Sequence, residues 1–322
     1  MTRSKDARRL VSRLAAAAVS AAALTGFSSA AFAATKIGIV VQTLGNPYFA
    51  CVKRGAEEEA KKHEGVELTV LAGATGDDVA GIVRLIEDLM QKKVDVMSFL
   101  ATDPDIMMGT TKKVQDAGIP VLIHSDDTRE PVGKHYIGAD HVAGGAAMAK
   151  MLVQEIGAKG KVAIIEGGPG NVTSELRKKA AQDEFAKYPG IKVVGVWNGA
   201  WDRAVGMRVS EDILTANPDL AGIMAVNDEM ALGAVQAVRA RNLKDKVKVT
   251  GFNGVPQAVQ AVAKGDMLGT VVTYCYTVGT QIVRTALEMR TGTDPKAYTI
   301  DTGTVPVDAK LIEAITTGMQ AK

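Results

Sequence analysis

The sequence predicts an α/β protein with two doubly wound lobes, each a parallel sheet covered by helices on both faces. Apolar runs of strand length alternate with helical segments along the chain, the pattern of repeated βα units. Removing a leader of 33 residues from the 322 residues leaves 289, which is more than a single core usually holds. No Pro/Gly/Ser-rich linker separates two halves, so closely coupled lobes are expected.

Ten mainly apolar runs are the strand candidates. The first contains Ile37-Gly-Ile-Val-Val41 without interruption, as expected of a strand that is buried on both faces. Helical segments lie between the runs, and in 78–93 apolar residues recur at helical spacing with charged residues between them. The candidates are 36–42, 67–72, 94–100, 120–125, 134–138, 161–166, 191–197, 220–226, 247–252 and 268–273.

The N-terminal segment has the features of a cleaved secretion signal. Basic residues up to Arg13 precede an apolar stretch, 14–24, that is too short to span a bilayer. Small residues in Ala31-Phe-Ala33 fit a cleavage site, so we expect a mature periplasmic chain that begins at Ala34, and favour this over an uncleaved anchor. The first cysteine is Cys51, so none stands at the cleavage point for lipid attachment.

The composition of the mature chain excludes some partners. The leader holds five basic residues and one acidic residue, which leaves 33 basic against 35 acidic residues. Such a balance gives no electrostatic reason to expect nucleic acid as a partner. Cys51 and Cys275 could form one disulfide in an oxidising compartment. The sequence does not say whether they meet, and we expect free buried thiols.

No motif in the chain requires catalysis, a metal or a cofactor. There is no P-loop, no dinucleotide fingerprint after a strand, no zinc-ligand spacing and no nucleophile elbow. Gly167-Gly-Pro-Gly170 could cradle a phosphate, but a tight strand-to-helix turn is favoured. His124 stands at the end of a strand, where a packed role is favoured over one in a cleft. These absences do not exclude an enzyme, but nothing in the sequence requires one, and we expect neither catalysis nor a cofactor.

Polar and aromatic residues follow the first strand. Asn46, Tyr48 and Phe49 stand where this strand gives way to a helix that begins near Pro47. In an open α/β sheet this edge is where ligands bind. Aromatic residues make up only 4% of the chain, so two of them at this edge suggest a flat, partly apolar ligand.

Further blocks at other strand ends extend this pattern. In Asn227-Asp-Glu-Met-Ala-Leu-Gly-Ala234, the first residue can cap a helix and offers both a donor and an acceptor. Together with Thr43-Leu-Gly-Asn-Pro-Tyr-Phe49, Trp201-Asp-Arg203 and Gly251-Phe-Asn-Gly254, this block makes the chain resemble the sugar-binding periplasmic proteins of the ribose-binding type. The resemblance covers essentially the whole mature chain.

The resemblance implies a type I periplasmic binding protein, in which a hinge of three crossovers joins two lobes around a ligand cleft. The implied crossovers lie near Ala139 and Asp140, near Thr273 and Tyr274, and near Asp301 and Thr302. The implied lobes are 34–139 with 274–301, and 140–273 with 302–322.

The resemblance also implies a set of ligand contacts. Aromatic residues should sandwich a sugar ring, and polar groups should bind its hydroxyls, since an unpaired buried hydroxyl costs about 1–3 kcal/mol. The bland alternatives are solvated loop charges for Asp126 and Glu175 and interlobe packing for Tyr48. The expected contacts are Gln42, Asn46, Tyr48, Phe49, Ser125, Asp126 and Asp127 from the first lobe, and Glu175, Trp201, Asn227, Asn253 and Thr273 from the second lobe and the hinge.

Four of these residues depart from the pattern of the ribose binders. Asn253 replaces an Asp, Glu175 and Asp126 each replace an Arg, and Thr273 replaces a Gln. On this reading a cationic donor is lost, Arg177 packs against its own lobe, and ribose itself is not favoured. We expect a neutral, donor-rich ligand such as a polyol, a cyclitol or a deoxy sugar.

The implied function is capture of a neutral sugar or polyol by a monomeric periplasmic protein that delivers it to an ABC permease. The same cleft would serve a sensory protein that presents its ligand to a chemoreceptor or a sensor kinase. An enzyme on this scaffold would differ by turning its ligand over. A related repressor is not expected, because a secretion signal stands where a DNA-reading helix-turn-helix would lie.

Overall fold

The computed structural model describes residues 34–126, 135–292, 298–301 and 303–313. Within them, strands and helices alternate in two successive stretches. The first stretch contains β1 (Thr35–Thr43), α1 (Pro47–Ala60), β2 (Val66–Gly73), α2 (Val79–Gln91), β3 (Val96–Phe99), α3 (Pro104–Asp116), β4 (Val121–His124) and β5 (His135–Gly138). The second contains α4 (His141–Glu155), β6 (Lys159–Glu166), α5 (Val172–Phe185), β7 (Gly190–Asn198), α6 (Arg203–Ala216), β8 (Leu220–Ala225), α7 (Asp228–Ala240), β9 (Lys248–Asn253), α8 (Pro256–Ala263), β10 (Gly269–Thr273), α9 (Cys275–Arg290), β11 (Tyr298–Asp301) and β12 (Thr304–Asp308).

The strands form two sheets. The first has the order β11-β5-β4-β3-β1-β2 and the second the order β12-β10-β9-β8-β6-β7. Helices α1, α2, α3 and α9 pack with the first sheet to form lobe one, and α4 to α8 pack with the second to form lobe two. The predicted α/β class with two doubly wound lobes is therefore confirmed. The chain moves from one sheet to the other after β5, after β10 and after β11.

The central strands are buried because helices cover both faces of each sheet. In β1 the side chains of Ile37, Ile39, Val40 and Val41 are all fully buried, which explains the uninterrupted apolar run. Helix α1 follows with Asn46 as its cap and Pro47 at its first position, where proline has no N–H to leave unpaired. Local sequence thus places the start of α1 at the carboxyl edge of the sheet.

Two strands near the C-terminus are absent from the sequence prediction. Strand β11 pairs with β5 in parallel, whereas β12 pairs with β10 antiparallel, so the second sheet is not wholly parallel. Strand β12 contains Pro306 and lies at an edge of its sheet, a position where proline does not interrupt the ladder.

The two cysteines correct an expectation. Cys51 of α1 and Cys275 of α9 form a disulfide with a Cα–Cα distance of 5.7 Å, so the expectation of free thiols was wrong. The same helix pair is joined by Arg284, whose Nε donates to Glu59 Oε1 over 2.6 Å. The pairing could not be predicted from the sequence, because the cysteines are 224 residues apart and only the packing of α1 against α9 brings them together.

Some predicted features lie outside the described residues. These are the secretion signal in 1–33, Asp127, and Thr302 at the third crossover. Within the described part of the chain, no helix has both the length and the apolar character required to cross a membrane.

Candidate ligand-binding site

A cavity lies between the two lobes, at the carboxyl ends of the strands. The lining residues lie at the carboxyl ends of β1, β4, β6, β7, β8 and β9 or in the segments that follow them, the edge at which open α/β sheets bind ligands. They are Gln42, Asn46, Tyr48, Phe49, Ser125 and Asp126 from lobe one, and Arg177, Trp201, Asn227 and Asn253 from lobe two.

The start of α1 supplies half of the lobe-one wall. The Oδ1 of Asn46 accepts a hydrogen bond from the backbone N–H of Tyr48 over 3.0 Å, which fixes the amide at the helix cap. The rings of Tyr48 and Phe49 meet edge to face with centroids 5.0 Å apart. The Tyr48 hydroxyl lies 3.2 Å from Ser125 Oγ, and burial raises the pKa of this phenol. The wall therefore joins two aromatic surfaces to neutral polar groups.

Asp126 connects the two lobes. Its Oδ2 accepts a hydrogen bond over 3.1 Å from Nδ2 of Asn171, the cap of α5 in lobe two. The same Asn171 amide donates to the backbone carbonyl of Thr102 in lobe one over 3.2 Å. Because the Asp126 carboxylate is buried, the alternative of a solvated loop charge is wrong for this residue.

Trp201 and Asn227 form a continuous part of the lobe-two wall. The Trp201 ring lies against Gly167, where any side chain would overlap it. This contact explains a glycine at the start of the Gly167-Gly-Pro-Gly170 turn. On the lobe-one side, a methyl group on Gly76 would come within 2.8 Å of the Trp201 Cβ. The Gln42 amide donates to the Gly76 carbonyl over 2.7 Å, and the Asn227 amide donates to the Trp201 carbonyl over 3.3 Å.

Asn253 lines the cavity from an unusual backbone conformation. Its φ is 121°, a region that non-glycine residues rarely adopt. The turn that follows is held by the buried carboxylate of Asp228, which accepts from Val255 N–H over 2.8 Å and from Thr270 Oγ1 over 2.6 Å. Burial raises the pKa of Asp228 to about 6, and these hydrogen bonds oppose the shift. Thr273 lies behind the lining and donates to the Asn253 carbonyl over 3.4 Å.

Arg177 is the site residue that the sequence interpretation missed. It is buried, stacks on the Phe252 ring at 3.6 Å and donates to the Val226 carbonyl over 2.8 Å. It also lines the cavity, so the expectation that the site had lost its cationic donor was wrong. Burial lowers the pKa of Arg177 to about 10 while Asp126 opposes the shift, which leaves the guanidinium charged at neutral pH. Its Nε has no hydrogen-bond partner among the described residues.

Glu175 does not line the cavity, contrary to its predicted role. It lies in the first turn of α5 and is half-buried. The face of α5 that points inward carries Ser174, Arg177 and Ala181, which are buried and follow helical spacing. The spacing that could have identified Arg177 runs from Ser174 by three residues to Arg177 and by four more to Ala181, because residues three and four apart share a face.

The remaining predictions have mixed outcomes. Nine of the twelve predicted contacts line the cavity together, while Glu175 and Thr273 do not and Asp127 is outside the described residues. That any of them binds a ligand stays a prediction. His124 is buried with Nδ1 2.9 Å from Ser98 Oγ and is not part of the lining, in accord with a packed role. Burial lowers the pKa of His124 to about 3.

The cavity combines aromatic surfaces with amides and one pair of opposite charges. Among the lining residues, Asp126 and Arg177 are the charged ones, and their formal charges cancel. Amides and hydroxyls can both donate and accept, which suits a ligand rich in hydroxyl groups. Within the described residues, no cluster of three His, Cys, Asp or Glu side chains is arranged to hold a metal ion.

The fold and this cleft define a periplasmic binding protein. Residues 37–294 match the family model described as periplasmic binding protein domain, and the chain belongs to this family.

Several relatives of the chain are named as sugar-binding proteins. The chain is 33% identical to the D-allose-binding periplasmic protein of Escherichia coli (strain K12), over 76% of this chain and 81% of the relative. It is 32% identical to the ribose import binding protein RbsB of the same organism, over 91% of this chain and 96% of the relative. A solved ABC-transporter solute-binding protein of Actinobacillus succinogenes 130z, with bound D-allose, is 34% identical with a TM-score of 0.80. The alignment covers 87% of this chain and 99% of that structure.

Proposed function

We propose that the protein captures a neutral sugar or polyol in the cavity between its lobes and delivers it to an ABC importer in the inner membrane. The observation that carries this proposal is the composition of the lining. Aromatic residues from both lobes surround amides, and the only charged lining residues among those described are one acid and one base.

The chemistry of a sugar fits this lining. Tyr48, Phe49 and Trp201 offer apolar contact to C–H groups, while amides and the Arg177 donor can pair with hydroxyls in a site shielded from water. Since Asp126 already offsets the charge of Arg177, an anionic ligand would add an uncompensated buried charge, which is costly. The expected preference for a neutral ligand therefore depends on the opposite charges of Asp126 and Arg177, and not on the absence of a cation.

The proposal includes a monomeric mature chain that begins at Ala34 in the periplasm. It also includes closure of two lobes, 34–139 with 274–301 and 140–273 with 302–322, that pivot near Ala139, Thr273 and Asp301. The chain passes from one sheet to the other at these places, which supports the pivots. Hinge closure is the known motion of such proteins. Solution scattering should give a smaller radius of gyration with a saturating sugar, and identical curves would contradict closure. The mass of the exported chain reports the cleavage site.

A ligand panel tests the proposed function. The purified mature protein is screened by thermal shift against D-allose, D-ribose, myo-inositol and glycerol, and then titrated calorimetrically. A ligand at a thousandfold excess over its Kd should raise the free energy of unfolding by about 4 kcal/mol. We expect at least one neutral compound to bind without being converted. Absence of binding to every neutral sugar and polyol, or turnover of the bound compound, would contradict the proposal.

Delivery to an importer requires a separate test. In a strain that lacks the gene, uptake of the bound sugar at low concentration should fall and should return when the gene is restored. A strain that keeps its full uptake would show that the protein serves another system.

A further inference from the structure

His141 lies at the first passage between the two sheets. It is the first residue of α4, and two residues separate it from the end of β5 in lobe one. Its ring is buried and touches both lobes. Ser125 and Tyr136 belong to lobe one, and Arg177 and Phe252 belong to lobe two, with the Phe252 ring centroid 6.1 Å from that of His141.

The partners of this ring determine where its proton lies. Nδ1 is 3.3 Å from Nη2 of Arg177, and because a guanidinium can only donate, Nδ1 must accept. Nε2 is 3.0 Å from the Ser125 carbonyl, which can only accept, so Nε2 must carry the hydrogen. The Tyr136 hydroxyl, 2.8 Å from Nε2, donates to the same carbonyl over 3.2 Å. The ring is therefore the neutral Nε2–H tautomer with both nitrogens bonded.

A charged ring would break this arrangement. A second proton would sit on Nδ1 and face the Arg177 guanidinium. Burial and the charge of Arg177 lower the pKa of His141 well below its ordinary value, so the neutral form persists through the physiological range.

Both ends of the network reach the ligand cavity. Arg177 and Ser125 line it directly, and Ser125 has a φ of 63°, a left-handed conformation that costs energy for a non-glycine residue. The carbonyl of this strained residue receives both the Tyr136 and the His141 hydrogen bonds. The guanidinium of Arg177 is fixed by Val226, by the Phe252 ring and by His141.

The segment between the two sheets leaves space for the hydrogen bonds around His141. At Gly138, the last residue of β5, any side chain would overlap the Tyr136 hydroxyl. The chain thus has no side chain at the point where the Tyr136 phenol must reach His141, an observation independent of the hydrogen bonds.

We propose that His141 is a positioning residue of the ligand site, which orients the Arg177 cation of lobe two against the strained Ser125 backbone of lobe one. The ring needs no contact with the ligand for this role. The inference rests on the proposed function in that it assumes that Arg177 contacts the sugar.

Three substitutions separate the two hydrogen bonds of the ring. His141→Phe keeps a planar ring and removes both bonds, and should weaken binding of the tightest ligand among D-allose, D-ribose and myo-inositol by about 10- to 100-fold. His141→Asn retains an acceptor near the Nδ1 position and His141→Gln a donor near the Nε2 position, so each should lose less. Tyr136→Phe, which removes one hydroxyl, serves if His141→Phe does not fold.

A double-mutant cycle distinguishes positioning from general stability. In an Arg177→Met background, His141→Phe should change the Kd by less than about twofold, because the group it orients is gone. His63→Gln is the control, since His63 lies three residues beyond the end of α1, half-exposed beside Glu59, and its Kd should match the wild type. Full additivity of the His141 and Arg177 effects, or an unchanged Kd in His141→Phe, would overturn the proposal.

A measurement without ligand keeps the inference separate from the proposed function. Nitrogen-15 NMR of histidine-labelled protein should show His141, assigned by its loss in a His141 variant, as the neutral Nε2–H tautomer down to pH 5. Its Nδ1 resonance should shift in Arg177→Met. If no sugar binds, the proposed function fails, but the NMR measurement still tests the hydrogen-bond network around His141. A His141 that is protonated on Nδ1, or that titrates near its ordinary pKa, would overturn the network.

Discussion

The two walls of the cavity are built in different ways. In lobe one, Asn46, Tyr48 and Phe49 come from one helix start, so a single contiguous motif makes half of that wall. In lobe two, Trp201, Asn227 and Asn253 lie at the ends of three strands and Arg177 lies within α5, and Trp201 and Asn253 adopt positive φ values of 58° and 121°. The lobe-one wall thus depends on local capping, whereas the lobe-two wall depends on buried polar contacts between distant segments.

The walls also differ in charge. The lobe-one wall carries the Asp126 carboxylate and the lobe-two wall carries the Arg177 guanidinium. Each charge has polar contacts beyond the cavity, to Asn171 for the acid and to Val226 and His141 for the base. Neutrality of the site therefore depends on both lobes, because each contributes one of the two charges. We expect substitutions in lobe two, whose lining residues come from separate segments, to be the more disruptive.

Removal of the buried cation should have the largest effect. Arg177→Met keeps an extended apolar side chain but deletes every charged hydrogen bond, and we expect about a 100-fold weaker Kd for the best neutral sugar. Titration calorimetry measures the change. Lys179→Met, two residues along α5 in an exposed pair with Asp183, is the control and should bind like the wild type. A similar Kd in both variants would show that Arg177 is structural.

Asp228 should make stability depend on pH from behind the lobe-two wall. Its folded pKa is raised to about 6. At a pH between the unfolded pKa and the folded pKa, the folded state therefore binds more protons than the unfolded state. The free energy of unfolding should therefore fall as pH rises from 4 to 6, by roughly 2–3 kcal/mol for this group. Denaturant unfolding should show this slope in the wild type and not in Asp228→Asn, which should also be less stable. Equal slopes in the two proteins would show that Asp228 is not the source of the pH dependence.

Trp201→Ala should weaken sugar binding more than tenfold without unfolding the protein, because it removes apolar contact in a desolvated site. The comparison variant is Trp197→Ala on β7, since Trp197 is partly buried and lies outside the cavity lining. That variant should lower the melting temperature while leaving the Kd within about twofold. A Trp201 variant with unchanged Kd would remove the aromatic residue of the lobe-two wall from the site.

Glu175→Gln should have the smallest effect, with a Kd within about twofold of the wild type, since Glu175 does not line the cavity and the substitution keeps the shape of the side chain. The side chain lies one position off the inward face of α5, next to Ser174. Calorimetry in parallel with Arg177→Met tests this pair of neighbours directly. A large loss of affinity in Glu175→Gln would restore the original interpretation of this position.

Prediction from sequence succeeded where the signal is local. The ten apolar runs lie within two residues of β1 to β10, because a strand buried on both faces shows itself in its own residues. Strands β11 and β12 are short, include polar residues, and pair with β5 and β10 from far away in the chain. Their pairing is set by partners that no local pattern reveals.

The same distinction explains the outcomes at the site. The motif around Asn46 was recognised because capping and aromatic residues are adjacent in sequence. Arg177 lines the cavity and the predicted Glu175 does not, because a shift of two positions moves a side chain to another face of α5. Likewise, the Cys51–Cys275 disulfide depends on α1 packing against α9, a tertiary contact that the spacing of cysteines does not encode.

The central claim is that the paired charges of the two walls select a neutral ligand, and a matched titration tests it most directly. Wild-type protein is titrated with D-ribose and D-ribose 5-phosphate, and with myo-inositol and myo-inositol 1-phosphate, at one pH and salt concentration. We expect at least one neutral member to bind and its phosphorylated counterpart to be about 100-fold weaker, because the added anion meets a site without net charge. A phosphorylated compound that binds as tightly as its neutral counterpart, or more tightly, would contradict the claim.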